Sequence, residues 1–163
     1  MNSDLFNFEK METLYRQILG LILCVVLFSS CSNELIYNNI AQVNYGTSFG
    51  ECIGFCKREV TIKSINATYK CYSWYPTTQT ITNNAEINVS TMDSIRNLNT
   101  KSFFDLPETI GCPDCADGGS EWLEIELVTG EKHKVTFEFN KEPDLLNIYI
   151  LKLRELLSKN NCN

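Results

Sequence analysis

The sequence has a single histidine, His133, in 163 residues. That scarcity excludes a metal centre built on several imidazoles, and it leaves a Ser/His/Asp triad only one position for its base. His133 stands between Lys132 and Lys134 in a strand-like run, no partner for it is marked, and it reads as a surface residue. Basic residues are also short: 14 Lys+Arg face 20 Asp+Glu, for a formal net charge of −6. Without a basic block, neither nucleic-acid binding nor electrostatic adhesion to anionic lipid is expected. Low-complexity tracts are absent and there is only one long apolar run. The chain beyond that run has the size of one domain with one core.

The run, Ile18 to Phe28, has eleven apolar or small residues. A membrane-crossing helix needs roughly 20, whereas the apolar stretch of a secretory signal peptide has about 7–15. Arg16 supplies the positive flank. Asp4 and Glu9 are unlike the start of a signal peptide, so translation is expected from Met1 or from Met11. "LFSSC", ending at Cys31, resembles the bacterial lipobox, in which a cysteine follows an apolar residue and two small ones. The resemblance implies a diacylglycerol on Cys31, which becomes the first residue after cleavage. Residues 1–30 are then a lipoprotein signal peptide, 31–39 a tether, and 40–163 a single domain. Each buried methylene contributes about 0.8 kcal/mol, so the acyl chains hold the protein on a membrane. Ser32 after the cysteine resembles lipoproteins passed on to the outer membrane.

Of eight cysteines, Cys24 leaves with the leader and Cys31 takes the lipid. The six that remain are Cys52, Cys56, Cys71, Cys112, Cys115 and Cys162. An even number in an exported domain reads as disulfides, although sequence alone does not choose the pairing.

Alternation marks the strands. Val60 and Ile62 alternate with polar neighbours in "EVTIKSI", and the aromatic-rich "TYKCYSWY" pairs back onto it. Residues 40–45 form a first strand, and "PTTQTITNNAEIN" is a polar excursion. Leu123, Ile125 and Leu127, then Val135, Phe137 and Phe139, outline a hairpin turning at Thr129-Gly130. Ser90 is expected to cap a helix that presents Met92, Ile95 and Leu98, with Phe103, Phe104 and Leu106 filling the core at its end. Pro143 opens a last helix whose stripe is Leu146, Tyr149, Ile150, Leu153, Leu156 and Leu157. The expected fold is α+β: an antiparallel sheet of four or five strands with two helices packed on one face.

"CIGFC" before the strand "EVTIKSI", a later capped helix, a hairpin and a C-terminal helix resembles a domain of unknown function. Its members are small envelope lipoproteins of Bacteroidota-type bacteria with a C-x-G-x-C-P signature. Cys52, Gly54 and Cys56 match that signature, while Lys57 stands where the family has proline. The resemblance implies a module outside the cytoplasm and no known activity.

Candidate sites are few. Cys112-Pro113-Asp114-Cys115 is a redox pair, half of a metal site or a disulfide. Redox chemistry wants a helix N-terminus at the first thiol, and here a Gly-rich loop and a strand come next. Four thiolates, from Cys52, Cys56, Cys112 and Cys115, would suit zinc in a reducing compartment. Asp114, Asp117 and Glu121 put three carboxylates in eight residues, a set suited to calcium although it lacks the EF-hand spacing. Tyr72 and Trp74 on one face of a strand would stack on a sugar or grip a protein. The reading that emerges is a lipid-anchored, disulfide-stabilised envelope module. It binds a protein or glycan and needs no cofactor or catalytic residues. The alternative is an envelope protein using its thiols for metal or redox chemistry.

Overall fold

The aromatic and alternating runs all join one sheet. In the computed structural model, which describes residues 39–160 and Cys162, seven strands lie in the order β4-β3-β2-β1-β6-β7-β5. The strands are β1 (Ile40–Ser48), β2 (Gly54–Lys63), β3 (Asn66–Tyr75), β4 (Gln79–Glu86), β5 (Thr109–Ile110), β6 (Ser120–Leu127) and β7 (Lys132–Glu138). Three α-helices accompany them: α1 (Val89–Arg96), α2 (Thr100–Phe104) and α3 (Asn147–Lys159). The described residues belong to one compact unit, Tyr37–Asn163. The leader, Cys31 and most of the tether lie outside the described residues. Among the described residues no helix is long and apolar enough to cross a membrane.

The α+β class is as expected, but the sheet is larger than four or five strands, and it is mixed. All neighbours pair antiparallel except β5, which runs parallel to β7. The two added strands carry little pattern. β4 is the supposed polar excursion, an edge strand exposed along most of its length, so burial imposes no alternation on it. β5 has only two residues, too few to show a period.

Pleating sends one set of side chains to the helices. Val43 faces Ile62 and Ile125, and Tyr45 faces Val60 and Leu123 across the ladders. These pack with Met92, Ile95, Leu98, Phe103, Ile150 and Leu153 into one buried cluster, so the helices cover one face. Asn88, not Ser90, caps α1, its side chain accepting from the Ser90 N–H at 2.9 Å. Asn99 caps the short α2 in the same way through Ser102, and α2 buries Phe103. Gly130, at φ 87°, makes the β6–β7 turn, where an L side chain would be strained.

His133 departs from the surface reading. It is registered against Ile125, which places it on the core side, half-buried. Its Nε2 donates to the Leu106 carbonyl at 2.8 Å, and its ring meets the Phe103 and Phe104 rings at 5.3 and 5.5 Å. Lys132 and Lys134 flank it on the opposite face, as alternation requires.

Candidate functional site

The six cysteines of the folded part fall into three pairs at disulfide distance. Cys52 and Cys56 have Cα atoms 5.6 Å apart, Cys112 and Cys115 5.5 Å, and Cys71 and Cys162 5.8 Å. The first two close small loops. The third ties the end of α3 to β3 across 91 residues. Each C-x-x-C or C-x3-C thiol thus has its partner within its own loop.

The three carboxylates of the acidic loop are not gathered. Asp114 and Asp117 are exposed, both at positive φ in the loop before β6. Glu121 is completely buried and belongs to the sheet. Among the described residues no three His, Cys, Asp or Glu side chains are placed to hold a metal ion.

Glu121 centres a polar network instead. It shares the pleat parity of Leu123 and Ile125 and so points toward α3. One oxygen, Oε1, accepts from the Tyr45 hydroxyl and from Arg154 Nε at 2.7 Å. The other, Oε2, accepts from an Arg154 guanidinium nitrogen at 2.5 Å and from the Asn140 backbone N–H at 3.0 Å. Arg154 also reaches Glu142, at 2.5 and 3.2 Å. The hydrogen bonds to Glu121, working against burial, raise the Arg154 pKa further above its ordinary value. Burial, reinforced by the Glu121 hydrogen bond, holds the Tyr45 hydroxyl well above the usual tyrosine range, so it remains a donor. Sequence reading missed this network. Its signal was present as a charge at a core-parity position in β6 and another beside the apolar stripe of α3.

Next to the network a cleft of about 340 Å³ opens between the sheet and α3. Phe49, Phe55, Phe139 and Leu157 form its apolar walls, and Tyr45, Thr47, Arg58 and Arg154 also line it. Phe49 and Phe139 meet edge to face at 4.9 Å. Across the strands, Arg58, Thr47 and Glu121 form one row, because Thr47 is registered against both of the others.

The opposite face of the sheet carries aromatics under cations. Lys57 Nζ lies 4.8 Å from the Tyr72 ring centre and 5.4 Å from that of Trp122, and Lys134 Nζ lies 4.9 Å from Trp122. Trp122 Nε1 donates to Asn44 at 2.9 Å, and Asn44 donates to Thr61 at 2.9 Å. The Tyr72 hydroxyl donates to Glu59 at 2.5 Å. Burial and that hydrogen bond push the Tyr72 pKa up to about 12. Tyr72 is therefore engaged, whereas Trp74, two residues on and on the same face, is 40 % exposed. Ile53 and Tyr75, 83 % and 62 % exposed, lie at the same end, since Gly54 is registered against Tyr75.

Trp122 depends on Gly46. A Cβ there would collide with the indole and come within 2.6 Å of the Arg58 carbonyl oxygen. Gly46→Ala is expected to displace Trp122 and cost about 1–3 kcal/mol. Near-ultraviolet circular dichroism and urea unfolding check this; an unchanged aromatic signal with unchanged stability would show that the indole does not need the space.

Comparison with known families found no family model that matches this chain, and comparison with characterised proteins found no match either.

Proposed function

We propose that this protein is a lipid-anchored binding module of the bacterial cell envelope, non-catalytic and held together by disulfides. The observation that carries the reading is the complete pairing of the six folded-part cysteines. Such pairing suits an oxidising compartment outside the cytosol. The lipobox-like "LFSSC" supports attachment through Cys31, and Ser32 favours the outer membrane. The C-x-G-x-C resemblance to small Bacteroidota-type lipoproteins agrees with both. In this reading the exposed end of the β2–β3 pair, with Trp74 beside the engaged Tyr72, meets an envelope protein or glycan.

One preparation tests the proposal. Cys31→Ser is expected to move the protein from the membrane fraction to the soluble fraction. The intact mass of the membrane-extracted wild type should show an acylated Cys31 at its start and six hydrogens fewer than the reduced chain. Free thiols with bound zinc would overturn the reading in favour of the metal or thiol alternative, and an unmodified precursor in the cytosol would overturn both.

A further inference from the structure

We propose that the cleft between the sheet and α3 binds a small apolar monocarboxylate, its carboxylate held by Arg58 and Thr47 and its hydrocarbon body by the phenylalanine walls. This deepens the binding-module reading by naming a ligand class, and it concerns a different surface from the Trp74 end.

Three observations converge. The first is charge. Arg154, the other guanidinium lining the cleft, is satisfied by Glu121 and Glu142. Arg58 is half-buried and has no ion pair or side-chain hydrogen bond among the described residues. Its nitrogens keep contact with water, so they are free to take an anion, and a charge-assisted hydrogen bond there is stronger than a neutral one. The second is geometry. Thr47 is buried, lines the cleft and lies directly across the ladder from Arg58 on the same face. Its hydroxyl likewise makes no hydrogen bond among the described residues, so a guanidinium and an O–H donor, neither of them engaged, belong to neighbouring residues of one cleft wall. A planar carboxylate fits the fork of a guanidinium in a bidentate way. The third is shape. The remaining walls, Phe49, Phe55, Phe139 and Leu157, are apolar, and about 340 Å³ is roughly twice the cavity of about 150 Å³ that holds a benzene ring.

Charge also selects among anions. Arg154 is matched by two carboxylates, so the four charged groups sum to zero and Arg58 is the one guanidinium without a carboxylate partner, which suits a singly charged acid better than a dianion. A phosphate dianion would bring its second charge close to Glu121 with nothing left to neutralise it.

Equilibrium dialysis of the full-length protein tests the proposal, with 4-phenylbutyrate as probe and 4-phenylbutanol and inorganic phosphate as comparisons. The carboxylate is expected to bind in the range below about 1 mM, at least tenfold tighter than the alcohol. Phosphate is expected not to compete. Arg58→Gln should abolish the preference for the acid while leaving the alcohol's binding in place, and Leu157→Trp should block both by filling the cleft. If Arg58→Gln unfolds early, Arg58→Lys serves instead: it keeps the charge, loses the fork, and should weaken the acid selectively. Equal binding of acid and alcohol, displacement by phosphate, or an acid affinity unmoved by either Arg58 variant would overturn the proposal. The envelope reading would survive that outcome, since the fate of Cys31→Ser tests it separately.

Discussion

Replacing Cys162 or Cys71 with serine is expected to lower folding stability by about 4–5 kcal/mol, the largest loss for any cysteine in the protein. The pair joins β3 to the end of α3 across 91 residues, so its removal frees a long loop in the unfolded chain. The same substitution at Cys52 or Cys112 opens a ring of only a few residues and is expected to cost about 2 kcal/mol. Urea unfolding of the three single variants, each against the oxidised wild type, measures the ranking. If Cys162→Ser is no worse than Cys52→Ser, the long bridge does not limit the unfolded chain as loop closure requires. The structural cost adds to the entropic one. Leu153 and Leu157 of α3 are core residues, and the bridge anchors the helix just beyond them.

Arg154→Ala is expected to cost about 3–5 kcal/mol, because it strands the Glu121 carboxylate with no counter-charge at a completely buried position. The Tyr45 hydroxyl and the Asn140 N–H would remain, but they are neutral donors. Glu121→Gln with Arg154→Met removes both charges and is expected to recover most of the loss, which a double-mutant cycle in urea measures. A double-variant loss equal to the sum of the Glu121→Gln and Arg154→Met losses would show that the pair is not coupled. A pH series supplies a second arm. Burial pushes the Glu142 carboxyl up, but the hydrogen bonds from Arg154 and from its own backbone N–H outweigh that and leave it below the ordinary carboxylate range. A carboxyl lowered on folding adds stability that is present above its unfolded pKa and is lost as pH falls through the folded one. The wild type should therefore lose part of its advantage over Arg154→Ala as the solution is acidified below about pH 4.

Chemically, these two devices do different work. The disulfides act mainly on the unfolded chain, whereas the Glu121–Arg154–Glu142 network acts on the folded one. The network also consumes one of the two guanidinium groups that line the cleft and leaves Arg58 available. The chemistry of the cleft depends on that division.

Parity explains both the features that local pattern reveals and those it hides. Val60 and Ile62, Leu123 and Ile125, and Val135 and Phe137 announce their strands because burial on one face forces an apolar residue at every second position. Arg58, Glu121 and His133 occupy the same parity in those strands, as Thr47 does in β1 with Val43 and Tyr45. Read as members of the buried face, they mark the polar row and the histidine's place in the core. Read by residue type, they fall on the surface or join Asp114 and Asp117. The edge strand β4 is not readable by either route, since an exposed edge puts no constraint on its side chains.

Alone, the sequence determined the α+β class, the main hairpin, the helix stripe and the even complement of cysteines, because each is a local pattern or a count. Only the folded chain decided that Cys71 meets Cys162, that Glu121 finds Arg154 in α3, and that Arg58 is left over beside a cleft. The Glu121–Arg154 and Cys71–Cys162 pairings join residues 33 and 91 positions apart. Their partners are chosen by how strands and helices stack, which no local pattern of side chains records.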